Sequence, residues 1–252
     1  MAEYRLWRNT DLEKEDFTSI GVAMSFVKGM ICKKYRKGVV IAMRTIVFAT
    51  TNKDKIKEIG EILGADSEHV KTMSEIGFCQ EIDENGTTFR ENSAIKANTV
   101  YDYIQSNAPE YSDAIVMADD SGLEIDYYDK KPGVYSHRWL GNRTYPQAMA
   151  DIIKEMKDVP EEKRTTRFVC SMTACIPMPD GTKKEITMQE TCEGYIANEM
   201  KGENGFGYDP FFYMKEYGCT TAQMSTEQKN EVSHRGKALR SILREIAPYL
   251  KA

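Results

Sequence analysis

From Arg44 to Thr50 the chain reads Arg-Thr-Ile-Val-Phe-Ala-Thr, an apolar, β-branched run that predicts a buried strand. A polar turn, Thr51 to Asp54, follows, and then Ile56, Ile59 and Leu63 recur on one helical face until Gly64 stops the helix. Thr88-Phe89-Arg90-Glu91 is a capping box, and Ala94, Ala97 and Val100 carry the helix it opens as far as Tyr101. The apolar run Ala114 to Ala118 predicts a strand ending at Asp119, and Leu123 to Ile125 a second, short one. Lys131-Pro132-Gly133-Val134 supplies a turn, and Tyr145 to Met156 reads as a helix. Arg167 to Ile176 suits a largely buried strand, which Asp180-Gly181 reverses into a partner. Past a loop from Gly202 to Gly207, a second capping box, Ser225-Thr226-Glu227-Gln228, opens a helix expected to run to about Leu250, bent near Pro248. Strands alternating with helices, plus one hairpin, predict an α/β fold: a mixed sheet covered by helices.

Residues 1 to 42 do not share this pattern. Charge clusters (Asp11 to Asp16, Lys33 to Lys37) flank a short apolar middle, and Met43 stands directly before the first strand. The core domain is therefore expected over 43–252, with 1–42 an N-terminal extension of unknown role or a product of an upstream-misassigned start. Its apolar part, Phe17 to Ile31, follows acids and is broken by Lys28, which makes a poor signal peptide.

Composition narrows the function. The 252 residues are 41% hydrophobic and 29% charged, as expected of a globular protein with a real core. A net charge of −5 argues against a general grip on nucleic acid, though not against a single nucleotide in a local basic pocket. No apolar run reaches the roughly 18 residues of a membrane span. Six scattered cysteines show neither zinc spacing nor a disulfide framework, so they are expected to be reduced thiols of a cytoplasmic protein.

Five stretches carry chemistry. Thr50-Thr51-Asn52-Lys53-Asp54-Lys55 puts a helix N-terminus and two lysines after a strand, a place for phosphate, although a capped helix with solvated lysines reads the same way. Asp83-Glu84-Asn85-Gly86 is an acidic turn whose plainer use is to favour the dipole of the helix that follows. Asp119-Asp120-Ser121-Gly122 sets two carboxylates at an expected strand end, where α/β sheets bind ligands. Magnesium would relieve the repulsion between them, and Ser121-Gly122 is read as a tight turn. The loop Gly202 to Gly207 permits close backbone approach to a ligand, with Phe206 and Tyr208 able to stack on a base. In the last helix, Lys229 and Ser233 share a face beside His234 and Arg235, a basic cluster near a helix start and against its dipole.

Taken in order, "FATTNKDKIKEIGEIL", "DENGTTFRENSAIKA", "ADDSGLEID", "PGVYSHRW", "GENGFGYDPFF" and "KNEVSHRGKAL" resemble the inosine triphosphate pyrophosphatase family over about Thr45 to Leu250. The family's first loop usually reads Thr-Gly-Asn; here Thr51 replaces the glycine. The resemblance implies an elongated mixed sheet flanked by helices, a homodimer, and hydrolysis of non-standard purine nucleoside triphosphates (ITP, dITP, XTP) to monophosphate and pyrophosphate. It implies magnesium as cofactor, with manganese as substitute. By motif match, Asp120 would bind metal and activate water, with Asp83 or Glu84 as the other acidic ligand and Asp119 in support. Thr50, Thr51, Asn52, Lys53, Asp54 and Lys55 would hold the triphosphate, aided by Lys229, and Ser121 would touch the substrate. Phe206, Gly207, Tyr208 and Asp209 would flank base and sugar, while His234 and Arg235 read the purine. A pyrophosphatase for modified pyrimidine nucleotides and a non-catalytic nucleotide sensor are the alternatives.

Overall fold

The computed structural model describes residues 43–251, so the expectations for the N-terminal extension lie outside the described residues. Strand β1 (Ile46–Phe48) alternates Ile46 and Phe48 on one face with Val47 on the other, all buried. It pairs in parallel with β2 (Val70–Thr72) and with β3 (Ile115–Ile125). From β3 onward the pairing is antiparallel: β4 (Lys131–Pro132) and β5 (Thr165–Pro177) flank β3, and the Asp180-Gly181 reversal joins β5 to β6 (Lys183–Ile196). Short strands β7 (Phe212–Met214) and β8 (Cys219–Thr220) finish an eight-stranded mixed sheet ordered β2-β1-β3-β5-β6-β7-β8, with β4 beside β3.

Helices cover both faces. Helix α1 (Lys53–Leu63) starts on the Asn52 cap, and Gly64, at a φ of 58°, ends it. Helix α2 (Phe89–Asn107) opens on the expected capping box and runs past Tyr101; α3 (Tyr145–Glu155) is capped by Thr144. Period-two alternation in the strands divides the core. Ile46, Phe48, Ile115 and Met117 pack with Ile59 of α1 and with Leu239 and Ile242 near the C-terminus, whereas Val47, Val116 and Ala118 pack with Ala97, Val100 and Ile104 of α2.

Two elements differ from expectation. The β3 strand does not end at Asp119; it runs unbroken through Asp119, Asp120, Ser121 and Gly122, each paired with β5, so Ser121-Gly122 is no turn. Within this extended run a side chain added at Gly122 would strike Gly133 O at 2.4 Å, a close approach only glycine allows. The last helix is two: α4 (Thr226–Val232) and α5 (His234–Ile246), parted at Ser233, whose ψ of 152° is extended. Ser233 ends α4 and caps α5, its Oγ accepting the Gly236 N–H at 3.0 Å. Gly236 is required at this kink, because a Cβ there would lie 1.9 Å from Asn230 O.

The chain ends are tied together. The Arg44 N–H donates to Leu250 O at 3.0 Å, and its guanidinium donates to Asp113 and to Pro177 O. Met43 bridges to Lys251.

Candidate active site

The strand alternation that divides the core also divides the two adjacent acids. Asp119 follows Met117 onto the face covered by α1 and α5, and Asp120 follows Ala118 onto the face covered by α2. Their repulsion is thus met by geometry: each carboxylate has a sheet face of its own and a different cation in direct contact.

Asp119 is 0% exposed. Lys55 Nζ lies 3.0 Å from its Oδ2, Arg235 Nη2 donates to the same oxygen at 3.3 Å, and Ser121 Oγ donates at 2.7 Å. Burial resists ionisation, but Lys55, Arg235 and Lys96 overcome it and hold the carboxyl well below the usual carboxylate range. Its second oxygen, Oδ1, is buried without a partner among the described residues.

Asp120, 8% exposed, receives Asn92 Nδ2 at 3.3 Å and Lys96 Nζ at 3.2 Å, both from α2. Here burial outweighs the nearby lysines and pushes the carboxyl up, with Glu84 adding to the rise. The two neighbouring acids thus shift in opposite directions, Asp119 down and Asp120 up, each set by its own surroundings. Lys96 also donates to Glu84 Oε2 at 2.7 Å, which brings Glu84 to Asp120. Asp83 is exposed, with Asn85 Nδ2 at 3.4 Å as its hydrogen-bond partner.

On the other face a chain of alternating charges leads from Asp119 towards the glycine-rich loop. Arg235 Nη1 donates to Glu58, Lys229 Nζ lies 2.6 Å from Glu58 Oε1, and the same ammonium lies 2.6 Å from Asp209 Oδ2. All are buried. Burial opposes the Glu58 charge, yet Arg235 and Lys229 keep its carboxyl below the usual range. Asp209 holds the loop: its Oδ2 accepts the Phe206 N–H at 2.8 Å, and Thr221 Oγ1 donates to Oδ1 at 2.8 Å. Gly205, at a φ of 76°, admits this, since a Cβ there would fall 2.1 Å from Asp209 Oδ2.

The aromatic groups take different parts. Phe206 is half-buried, with Lys229 Nζ 5.1 Å and the Arg235 guanidinium 5.6 Å from its ring centre. Tyr208 is buried beneath the loop, edge-on to Tyr145 at 4.9 Å, and donates to Ser136 O at 3.0 Å. Gly207, at a φ of 66°, separates the two rings. His234 stacks on Phe168 at 4.8 Å and 21°, and its buried Nδ1 has no partner among the described residues. Burial, with Arg235 and Lys229 beside it, pushes its pKa well down, so it is neutral at pH 7.

The first loop is built as a cap. Asn52 Oδ1 accepts the Asp54 and Lys55 N–H groups at 2.9 and 3.1 Å, and Thr50 Oγ1 accepts the Asn52 N–H at 3.2 Å. Among the described residues the non-glycine positions of positive φ are Asp129 and Lys130, so Thr51 stands where glycine is usual without backbone strain. Thr51, Lys53 and Asp54 are exposed, and Lys55 alone of the loop's two lysines reaches the buried acids.

Three site residues went unseen in the sequence: Glu58, Asn92 and Lys96. A signal for the last two is visible in retrospect. Phe89, Asn92, Ser93, Lys96, Ala97 and Val100 recur at three- and four-residue spacing, and all are buried. Polar groups on the apolar stripe of a helix call for buried partners. Glu58 lies three residues past Lys55 and beside Ile59, on the face of α1 that meets the sheet.

Among the described residues no three His, Cys, Asp or Glu side chains form a metal cluster. Glu84 and Asp120 do supply two hard oxygen donors within reach of one cation, the donor chemistry that suits magnesium, which keeps most of its shell as water and substrate oxygens. The residues present fit such an ion. Among the described residues no helix is long and apolar enough to cross a membrane, and Cys79, Cys170, Cys175, Cys192 and Cys219 are free thiols.

Comparison with known proteins gives consistent matches. A model of the Ham1 family matches residues 46–245. The protein named dITP/XTP pyrophosphatase in Bacillus cereus is 39% identical over 206 residues, covering 81% of this chain and 96% of that protein. Its namesake in Bacillus subtilis is 41% identical over 203 residues, covering 80% and 96%. Among solved structures, the Ham1 protein of Staphylococcus aureus superposes with a TM-score of 0.65 at 33% identity, over 80% of this chain and 99% of that one. A HAM1 protein from Coxiella burnetii gives 0.65 at 31%, over 81% and 100%.

Proposed function

The chain belongs to the Ham1 family, and from that premise we propose that it hydrolyses non-standard purine nucleoside triphosphates (dITP, XTP and ITP) to the monophosphate and pyrophosphate. The observation that carries this reading is the split pair on β3, with Asp119 held by Lys55 and Arg235 on one sheet face and Asp120 set beside Asn92, Lys96 and Glu84 on the other. Asp120 accepts the proton of the attacking water as that water's oxygen bonds to the α-phosphorus, and pyrophosphate leaves. Lys55 and the positive end of α1 offer the triphosphate its counter-charge, with exposed Lys53 at the rim. Glu84 and Asp120 would hold magnesium, or manganese in its place, which supplies charge neutralisation at the phosphoryl oxygens. In the metal-free protein Lys96 bridges those two carboxylates.

Base selection follows from donors. The charged heads beside the Phe206 ring are Lys229 and Arg235, which donate and never accept. A 6-oxo purine presents an acceptor to such groups. Adenine presents a 6-amino donor to the same groups, so donor meets donor. Phe206 offers the ring face on which the base stacks, and Tyr208 and Asp209 support it from beneath. We also assign the activity to residues 43–252, acting in the cytoplasm as a homodimer. A panel of nucleotides assayed separately for pyrophosphate and for inorganic phosphate tests the reaction: dITP and XTP should give pyrophosphate far faster than ATP, and phosphate with a nucleoside diphosphate would overturn it.

A further inference from the structure

The two carboxylates assigned to a divalent ion are already bridged by a cation. Lys96 reaches out of the second turn of α2, its side chain buried, with Nζ 2.7 Å from Glu84 Oε2 and 3.2 Å from Asp120 Oδ1. These are its two acceptors; among the described residues the ammonium's third proton has none. Without that ammonium, Glu84 and Asp120 would face each other as like charges in a partly buried site. Asn92 holds the arrangement from both sides, donating to Asp120 Oδ2 at 3.3 Å and accepting the Gly86 N–H at 2.9 Å from the turn that carries Glu84.

We propose that Lys96 is a resident place-holder for the metal: its ammonium spans Glu84 and Asp120 in the metal-free protein and must leave before a divalent ion can bind both. The proposal rests on the reading of this site as a metal-assisted pyrophosphatase. A dication and an ammonium repel at such distances, so the gap holds one or the other. An ammonium expelled from it is a buried cation without a carboxylate, and the anion that the site's function brings within reach is the substrate's triphosphate. Metal and nucleotide therefore bind cooperatively: the metal frees Lys96 for the phosphates, and the phosphates draw Lys96 off the metal's ligands. By linkage each strengthens the other by the same factor. Such coupling keeps the metal-loaded, water-activating form of the site for occasions when substrate is present.

The test reads equilibrium binding on the full chain. Mn2+ affinity is measured by electron paramagnetic resonance, without nucleotide and with an XTP analogue carrying a methylene group between the α- and β-phosphates. In the native protein Mn2+ alone should bind weakly and the analogue should tighten it. If Lys96 covers the site nine-tenths of the time or more, Lys96→Met should tighten Mn2+ alone by about tenfold or more and shrink the analogue's effect. Lys55→Met, which removes an equal charge beside Asp119 but uncovers neither metal ligand, should tighten it far less. A variant that binds Mn2+ no better than the native protein overturns the proposal, and so does equal tightening by Lys55→Met. Should Lys96→Met not fold, the native protein still decides: with 13C-methylated lysines, Mg2+ should shift the Lys96 signal, and an unmoved signal refutes displacement. Native pyrophosphate release, measured alongside, separates the claims, since its loss would overturn the function and unaltered Mn2+ affinity only the place-holder.

Discussion

Glu58 gathers two buried cations from two different helices, and replacing it with glutamine tests whether the charge chain is a single unit. Glu58→Gln keeps the side-chain volume and removes one negative charge from between Arg235 and Lys229. Arg235 would retain Asp119 at 3.3 Å and Lys229 would retain Asp209 at 2.6 Å, so neither cation is stranded. Removing one partner of a buried ion pair costs about 3–5 kcal/mol, and the surviving partners place this substitution near the lower bound, about 3 kcal/mol. For a domain of this size that is a fall in Tm of about 6–12 °C, measured by circular dichroism at pH 7. The sign of its pH dependence is fixed. Because the native Glu58 carboxyl titrates below its ordinary value, its stabilisation is full above that value and is lost as pH falls through the lower native one. The gap in Tm between native and variant should therefore narrow below about pH 4.5, the ordinary glutamate value. A variant within about 2 °C of native at pH 7, or a gap that widens in acid, would show that Glu58 does not hold the chain together.

The two β3 acids should respond in opposite ways. Asp120→Asn should lower kcat by about 10²–10⁴-fold while leaving Tm unchanged or raised, because burial already disfavours the Asp120 anion; native kcat would refute its role. Asp119→Asn should instead cost about 3–5 kcal/mol of stability, since Lys55 and Arg235 lose their shared buried carboxylate, and urea denaturation reads this directly. Gly236→Ala should destabilise by about 2 kcal/mol or more and raise KM, because the added carbon must push Asn230 O away and tilt the α4–α5 kink that places His234 and Arg235.

What could be read from the chain was what local rules govern. The capping boxes at Thr88 and Ser225, the Gly64 stop and the Asp180-Gly181 hairpin all occur where short-range hydrogen bonding requires them. What could not be read was settled by partners far away in sequence. Two acids and a serine looked like a strand end because buried charge is costly, and the cations that make it tolerable come from Lys96, 24 residues from Asp120, and Arg235, 116 residues from Asp119. The α4–α5 break left little sequence signal because serine is acceptable within a helix; the extended Ser233 backbone and the Gly236–Asn230 approach reveal it. Glu58 escaped notice for the same reason: it meets Lys229 across 171 positions. Motif resemblance pointed to Asp120 and left Asp83 and Glu84 open, and the way β3 turns Asp119 to the opposite face depends on a strand that the sequence pattern divides in two.

The central claim is that Asp120 delivers water to the α-phosphorus, and one experiment addresses it most directly. Turnover of XTP or dITP in water enriched in 18O, followed by mass spectrometry of both products, locates the new oxygen. The label should be found in the nucleoside monophosphate, with unlabelled pyrophosphate, and both should vanish together in Asp120→Asn. Label in pyrophosphate, or in inorganic phosphate released beside a nucleoside diphosphate, would place the attack on another phosphorus and contradict the account.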